Sequence, residues 1–377
     1  MHQLLFQLLR VAIGTQTNLS RLPAEDEWVK LYRTAEKQSI LGVCFAGLQN
    51  MGANADGGFA RIGMSKSLYL TWMGMAVVIQ KKNEMVNRQC VELQAKLTAD
   101  GIRSCILKGQ GVASLYSGHL LGLRQSGDID IYVDCGRQRT LEYLRNLGMT
   151  DFEWDFVHAH PKFYKSTEVE MHYRVSVMRN LWTNYRLQKF FKQFEDELFI
   201  STVELPTGRI IVPSNWMNLF YLMQHAYRHL FTEGIGLRQV MDIYFTIKSS
   251  ALSKADEERL KRATASFGLD RFASGMMWIL QYVFDMDMMS MPWGLSQREG
   301  EFLLSEIMRS GNFGKDKRFG GKADSKVGKL LVVSRRTMHL IGHYSGEALS
   351  APFYYVWHFL WKRIASSIDN YRDKYEY

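Results

Sequence analysis

Two acidic residues stand two positions apart in the segment Gly127-Asp128-Ile129-Asp130-Ile131. If this segment is a β-strand, residues i and i+2 project from one face, so both carboxylates point the same way while the isoleucines face a core. Adjacent carboxylates repel each other unless a cation lies between them. A hard divalent ion such as Mg²⁺ prefers oxygen ligands and keeps several waters, which leaves room for substrate phosphates. The alternative is a pair of acids on a solvent-facing edge strand that binds nothing.

A second segment, 168–175 (EVEMHYRV), repeats this alternation downstream. Glu170 and His172 share a face with the other polar residues of the segment, opposite its apolar residues. A third acid on a neighbouring strand would complete a carboxylate cluster for two metal ions. Such a cluster stabilises the attacking and leaving oxygens of an in-line phosphoryl displacement.

A glycine-containing turn precedes both acidic segments. Residues 106–111 (ILKGQG) lead a strand into a helix. A turn of this kind exposes backbone N–H groups at a helix N-terminus, where these donors and the helix dipole favour a phosphate. A plain turn without a ligand is the other interpretation.

The elements that must position these residues divide the chain of 377 residues into three regions. At about 150 residues per domain, this length suggests two or three domains. Residues 1–100 are predicted to be helical and to include one long helix over about 65–99. Residues 101–212 alternate strands with helices, which indicates a mixed sheet covered by helices. Residues 213–377 return to helical periodicity.

Within the central region, the predicted strands are 102–107, 128–133, 152–157, 162–165 and 168–175, followed by a hairpin of 202–205 and 209–212. A helix is predicted from the glycine turn to about Tyr116, and another over 137–147. The later helices are predicted at 214–231, 236–249, 255–267, 270–285, 297–309, 326–343 and 351–371. The Gly- and Lys-rich stretch 310–329 is predicted to be a loop or linker.

Composition excludes a disordered scaffold, because 46% of the residues are hydrophobic and 23% are charged. The formal net charge of +9 favours anionic partners such as nucleotides, nucleic acid or an anionic surface. Four widely spaced cysteines without a CxxC pair indicate the reduced thiols of a cytoplasmic protein.

No stretch of 18 uncharged apolar residues is present, so we expect no membrane span. The first residues, MHQLLFQLLRVAIGT, contain an arginine and lack a cleavage site, which favours a packed amphipathic helix over an export signal. The aromatic segment 351–364 is interpreted as a core helix, with interfacial membrane contact as the alternative.

Three blocks of sequence together resemble a known family. The order of a strand, a Lys-Gly turn, a helix, an arginine, a Gly-Asp-x-Asp strand, a helix and an acid-x-His strand resembles the DNA polymerase β-type nucleotidyltransferase superfamily. LKGQGVASLYSGHLLGLRQSGDIDIYVD, VEMHYRV and HAYRHLFTEGIGLRQVMDIY more closely resemble the bacterial family of uncharacterised nucleotidyltransferases. The resemblance implies an α+β fold, with a small mixed β-sheet core over 101–212 between helical regions over 1–100 and 213–377.

The activity that this resemblance implies is transfer of a nucleoside monophosphate from a nucleoside triphosphate to an acceptor, with release of pyrophosphate. By position in the motifs, Asp128, Asp130 and Glu170 would be the catalytic residues and would bind two Mg²⁺ ions. Glu170 would either bind a metal ion or take the acceptor's proton as a general base.

The same resemblance implies a set of nucleotide-binding residues. Gly109 would form the phosphate turn with Lys108 as a charge partner, followed by Gln110 where the superfamily usually has Ser or Gly. Arg124 would steady the triphosphate. His172 would orient the neighbouring glutamate or contact the nucleotide, and a hydrogen-bonded structural role is the alternative.

The acceptor cannot be read from the sequence, and a small molecule, a protein or an RNA would each suit the metal chemistry. A catalytically inactive protein that binds nucleotide or a partner protein is the alternative function. A nucleic-acid-directed protein that uses the basic charge is a third.

Two residue pairs in the last block are spaced by one helical turn. His225 and His229 have the spacing of zinc ligands but lack an HExxH pattern, so packing or polar roles are favoured. Arg238 and Asp242 are expected to form an ion pair on one helix.

Overall fold

The computed structural model describes residues 1–52, 58–116, 118–250, 252–312 and 326–375. The helices in these ranges are α1 (His2–Ile13), α2 (Glu25–Lys37), α3 (Leu41–Asn50), α4 (Gly58–Arg61), α5 (Lys66–Ala99), α6 (Gln110–Ala113), α7 (Gly136–Asn146), α8 (Leu181–Gln193), α9 (Asn215–Phe231), α10 (Leu237–Ser249), α11 (Lys254–Ser266), α12 (Asp270–Phe284), α13 (Gln297–Ser310), α14 (Lys326–Leu340) and α15 (Ser345–Tyr375). The strands are β1 (Ser104–Ile106), β2 (Ile129–Val133), β3 (Glu153–Trp154), β4 (His158–His160), β5 (Val169–His172), β6 (Ser201–Leu205) and β7 (Gly208–Val212).

The central sheet is small and mixed, with the strand order β1-β2-β5-β4-β3. Strands β2 and β5 are parallel, whereas β1 pairs antiparallel with β2 and β4 pairs antiparallel with both β5 and β3. Strands β6 and β7 form a separate hairpin. Helical regions flank the sheet, so the α+β fold class is confirmed.

The two faces of the sheet differ because side chains alternate along each strand. Ile129, Ile131 and Met171 are buried in a hydrophobic cluster with residues of α5, α7 and β7. Asp130 and Glu170 project from the opposite face. The alternation predicted from the sequence is therefore present, with β2 inside the sheet and not at its edge.

A larger hydrophobic cluster joins the helices on either side of the sheet. It contains Leu8 and Trp28 from the beginning of the chain together with Phe220, Tyr244 and Phe284 from α9, α10 and α12. Burial of apolar surface is the main force that holds such helices together. The division of the chain at residues 100 and 212 stays a prediction.

Most predicted elements are confirmed within a few residues, including the long helix, the hairpin and the helices that begin near 215, 237, 254, 270 and 297. The predicted strand at 162–165 is wrong. Phe163 and Tyr164 instead pack against the core of the sheet, and the Tyr164 hydroxyl donates to the Gln89 carbonyl at 3.0 Å. Their apolar pattern therefore comes from packing and not from strand pairing.

Two further differences concern helices. The helix after the glycine turn, predicted to reach about Tyr116, is the single turn α6. Helix α8 was not predicted, and the Asn180 side chain caps it by accepting from the Thr183 N–H at 2.9 Å. Most of the predicted loop at 310–329 lies outside the described residues.

The four cysteines are unpaired, as the sequence analysis predicted. Within the part of the chain that the structure describes, none of the helices has both the length and the apolar character that a bilayer crossing needs.

The segment that leads into β2 is held by helices from both flanks. On one side, the Asn83 side chain of α5 donates to the carbonyl groups of Gly122 and Arg124 at 2.8 and 2.7 Å. On the other side, Arg124 forms a two-pronged ion pair with Asp242 of α10 at 2.7 and 2.8 Å. Because both partners are at least 95% buried, the pair links this segment firmly to the second helical region.

We expect Arg124→Met to lower the free energy of unfolding by about 3–5 kcal/mol, because it leaves the buried Asp242 carboxylate without its cation. Equilibrium urea denaturation measures this loss. Arg103→Met is the control, since its ion pairs with Asp134 and Asp196 are exposed and its loss should stay within about 1 kcal/mol. Equal losses in the two variants would contradict the expectation.

Candidate active site

Three carboxylates meet near the beginning of the parallel strands β2 and β5. Asp130 lies opposite Glu170 in the strand register, and Asp128 precedes Asp130 by two positions on the same face. One oxygen from each of the three carboxylates lies within 4.8 Å of the others. Asp130 is fully buried, whereas the other two are half-buried. The structure thus brings together the three residues predicted to be catalytic.

Lys108 supplies a positive charge to these acids. The pairing of β1 with β2 continues at Leu107, whose N–H donates to the Asp130 carbonyl at 3.0 Å, and this bond fixes the starting point of the lysine side chain. Its ammonium lies 3.0 Å from Asp130 Oδ2 and 3.6 Å from Asp128 Oδ2. Burial alone would lower the pKa of Lys108, but the neighbouring carboxylates outweigh it and raise that pKa.

His172 is the second cation partner. Its Nε2 lies 3.2 Å from Asp130 Oδ1 and 3.3 Å from Glu170 Oε2. Burial would lower the pKa of His172, but the hydrogen bonds and charges of the two acids raise it to about 9. Burial likewise would raise the pKa of Glu170, but the hydrogen bond from His172 and the charges of His158 and His172 lower it. The imidazole therefore orients Glu170 and keeps it ionised.

The predicted glycine turn lies between β1 and α6. Gly109 has φ +64° and ψ −112°, a conformation that residues with a side chain rarely adopt. Gln110 follows it, but its side chain points to α5, where its Nε2 donates to Asn87 Oδ1 and lies 3.4 Å from Asn83 Oδ1. The contact of Gly109 and Gln110 with a nucleotide stays a prediction.

Arg124 lies apart from the carboxylates. Its guanidinium is bound by Asp242, which also accepts from the Tyr116 hydroxyl at 2.9 Å. Asp242 was expected to pair with Arg238, whose Nη1 donates to the Gln125 carbonyl at 2.9 Å. The arginine predicted to hold the triphosphate is therefore engaged in holding the segment before β2.

The carboxylate cluster fits a hard divalent cation. All three donors are oxygens, which Mg²⁺ prefers. Asp130 Oδ2 is buried and lies 3.0 Å from the Lys108 ammonium, so this oxygen already faces a cation and can bind a metal ion in the lysine's place. Lys108 has a flexible four-carbon stem, and its ammonium can withdraw when a cation of higher charge binds.

The cluster opens into a cleft of about 560 Å³. Its described lining comprises Lys108, Asp128, His158, His160, Glu168, Glu170, Val177, Arg179, Arg228, His229, Thr232, Glu233, Glu347, Tyr354 and Tyr355. The sheet contributes one wall, and α9 and α15 contribute the facing walls. The cleft therefore combines acids, basic groups and aromatic rings.

Sequence reasoning missed Arg228, which is half-buried in α9 and faces this cleft. It forms no salt bridge with a residue in the described ranges, and its guanidinium lies 3.5 Å from His229 Nε2. Its position between His225 and His229 in the block HAYRHLF was the available signal. A buried cleft with an unneutralised guanidinium suits an anionic ligand.

The paired histidines of α9 have packing and polar roles, as the sequence analysis favoured. His225 is 5% exposed, and burial followed by the charge of Lys108 lowers its pKa well below the usual value. Neither His225 nor His229 belongs to a group of three candidate metal ligands among the described residues.

A known protein family matches most of this chain. A family model described as uncharacterised nucleotidyltransferase matches residues 24–285, which include the sheet, the carboxylate cluster and Arg228. A search of curated proteins found no match. Among solved structures, the chain is similar to the crystal structure of an antigenic nucleotidyltransferase-like protein from Paracoccidioides brasiliensis, with 15% sequence identity and a TM-score of 0.34. That alignment covers 57% of this chain and 96% of the other.

The environment of His172 leads to a pH dependence of stability. Because its pKa rises from 6.5 to about 9 on folding, its contribution is fully present below pH 6.5 and is lost as the pH rises through about 9. For the metal-free protein, we expect a loss of about 3 kcal/mol across this interval, measured by urea denaturation. His172→Asn should flatten the profile there. Parallel profiles for the two proteins would contradict this origin.

Proposed function

Because the chain belongs to the family of uncharacterised nucleotidyltransferases, we propose that it transfers a nucleoside monophosphate from a nucleoside triphosphate to an acceptor. The observation that carries the proposal is the convergence of Asp128, Asp130 and Glu170 within 4.8 Å at the edge of a cleft. Acids this close are unfavourable without cations, and cation-bound carboxylates are what a phosphoryl-transfer site needs. Relationship to the DNA polymerase β-type superfamily is part of the same proposal.

In the proposed reaction, an acceptor hydroxyl attacks the α-phosphorus of the triphosphate. The new bond joins the acceptor oxygen to that phosphorus, the bond to the bridging oxygen breaks, and pyrophosphate leaves with the electron pair. Two Mg²⁺ ions bound by Asp128, Asp130 and Glu170 would polarise the phosphate and lower the pKa of the acceptor hydroxyl. The lowered pKa of Glu170 makes it a weak base, so we assign it as a metal ligand and the acceptor's proton passes to solvent.

Two basic residues of the cleft are suited to the triphosphate. Lys108 forms ion pairs with Asp128 and Asp130. Because its side chain is flexible, the ammonium can move from these acids to a phosphate oxygen. Arg228 faces the same cleft from α9 and presents a planar guanidinium that binds phosphate through paired hydrogen bonds. We propose Arg228 for the phosphate contact that the sequence analysis gave to Arg124.

The catalytic assignment is tested with conservative variants. Asp128→Asn, Asp130→Asn and Glu170→Gln keep the shape of each side chain but remove its charge, so we expect each to lower kcat by about 1000-fold or more. The measurement is transfer of label from each of the four NTPs, labelled at the α-phosphate, with Mg²⁺ and a cell extract as the acceptor source. Glu204→Gln is the control, because Glu204 lies on the exposed hairpin and pairs with Arg209.

The wild-type protein should release pyrophosphate and label an acceptor only with the divalent ion present. If the three variants bind nucleotide as the wild type does and the wild type transfers nothing with any NTP, the protein is a nucleotide-binding module and catalysis is refuted.

The phosphate assignment predicts a different kinetic effect. We expect Arg228→Gln to raise the KM for the NTP by about 10-fold, with a smaller change in kcat, because it removes a contact made in both ground and transition states. Arg228→Lys should recover part of the loss. Arg262→Gln is the control, since Arg262 lies on exposed α11 and pairs only with Glu258 in the described structure. An unchanged KM in Arg228→Gln would remove this residue from the nucleotide site.

A further inference from the structure

The cleft face of the sheet carries a pair of histidines that the proposed reaction does not use as ligands. His158 of β4 lies directly opposite His172 of β5 in the antiparallel register, and their ring centroids are 4.7 Å apart. Glu170 precedes His172 by two positions on the same face. One ligand atom from each of the three residues lies within 4.8 Å of the others.

His158 lacks the partners that a buried imidazole normally has. The residue is 8% exposed, and its Nδ1 has no hydrogen bond in the described structure. Its Nε2 lies 3.9 Å from Glu170 Oε2 and 3.8 Å from Asp155 Oδ2, and both distances are too long for a direct hydrogen bond. The nitrogen that faces these acids is Nε2, so a ligand placed between it and the carboxylates would supply the contact that the distances leave open.

His172 is oriented as a metal-binding histidine usually is. Its Nδ1 lies 3.4 Å from the Arg174 carbonyl, which leaves Nε2 directed at Asp130 and Glu170. The distance from that Nε2 to Glu170 Oε2 is 3.3 Å. Ligand atoms around a tetrahedral Zn²⁺ are about 3.3 Å apart, given bond lengths of about 2.0–2.1 Å. In the metal-free protein this distance is that of the hydrogen bond from His172 to Glu170, and an ion of this class would take the place of the Nε2 proton at the same spacing.

We propose that His158, Glu170 and His172 bind a transition-metal ion of the Zn²⁺ class, at a site that adjoins the hard-cation position of Asp128 and Asp130 and shares Glu170 with it. Imidazole nitrogen suits Zn²⁺ and its neighbours in the first transition row, whereas Mg²⁺ selects oxygen. The ion joins β4 to β5 and fixes the Glu170 carboxylate from the side opposite Asp128. The metal site shares Glu170 with the proposed catalytic cluster, but ion binding can be tested without the transfer activity, because it needs neither a nucleotide nor an acceptor.

The test uses the full chain after treatment with EDTA, titrated with Co²⁺ and with Zn²⁺ in the presence of excess Mg²⁺. We expect one Co²⁺ per chain with the visible absorption of a low-coordinate, nitrogen-bound ion, and displacement of that ion by Zn²⁺. His158→Asn should weaken Zn²⁺ binding by about 100-fold, measured by calorimetry. His160→Asn is the matched control, because His160 is two residues along the same strand and lines the same cleft.

A second pair of variants separates this site from the carboxylate cluster. Asp128→Asn should abolish nucleotide transfer but keep the Co²⁺ spectrum, whereas His158→Gln should lose the spectrum while circular dichroism shows an intact fold. A wild-type Co²⁺ spectrum identical to that of the hydrated ion, or one that survives in both His158 variants, would overturn the proposal. Loss of the spectrum in Asp128→Asn would also overturn it, because the ion would then belong to the carboxylates.

Discussion

Mutual repulsion of three carboxylates is the constraint on which the rest of this structure depends. At an effective dielectric constant of about 20, two unit charges 4.8 Å apart repel by about 3.5 kcal/mol. The parallel register of β2 and β5 places Asp130 opposite Glu170, and Asp128 precedes Asp130 by two positions on the same face, so the fold brings all three within this spacing. Lys108 and His172 offset the repulsion from two directions.

The cluster also depends on elements far from it in sequence. Asn83 of α5 holds the segment before β2 from one side, and Asp242 of α10 holds it through Arg124 from the other. Helices of both flanks share one hydrophobic cluster, so these two attachments are fixed relative to each other. The position of Asp128 therefore reflects packing across most of the chain and not only the local strand.

The parts of the site that could be predicted from the sequence are those that depend on residues close together in the chain. The alternation of Asp128 and Asp130 with apolar residues is local, and it placed both carboxylates on one face. The same alternation of every second residue placed Glu170 and His172 on one face of their strand. The partner of Arg124 could not be predicted, because Asp242 lies 118 positions away and the nearer arginine on its own helix was the simpler choice.

The histidines of β4 were missed for a related reason. The predicted strand ended at residue 157, whereas the Asp155 side chain accepts from the N–H groups of Val157 and His158 and turns the chain there. The strand therefore begins after this turn, and His158 and His160 face the cleft. Such a turn changes which face of the sheet each following residue points to. Hydrophobic periodicity alone does not reveal the turn.

The two basic groups beside the carboxylates differ in their freedom to move. We call the part of the site next to Lys108 the lysine end and the part next to His172 the histidine end. The Lys108 ammonium lies at the end of four methylene groups and forms ion pairs with Asp128 and Asp130, so another cation can replace it without disturbing the backbone. His172 is the last residue of strand β5, and its ring nitrogen Nδ1 lies 3.4 Å from the Arg174 carbonyl. The ring is therefore less free to move than the lysine side chain. A cation that binds at the lysine end is therefore surrounded by oxygen ligands.

A cation that binds at the histidine end has nitrogen ligands as well, and Glu170 lies between the two ends. The negative charge would favour a cation at either position, and the donor atoms would decide which kind of ion each one prefers.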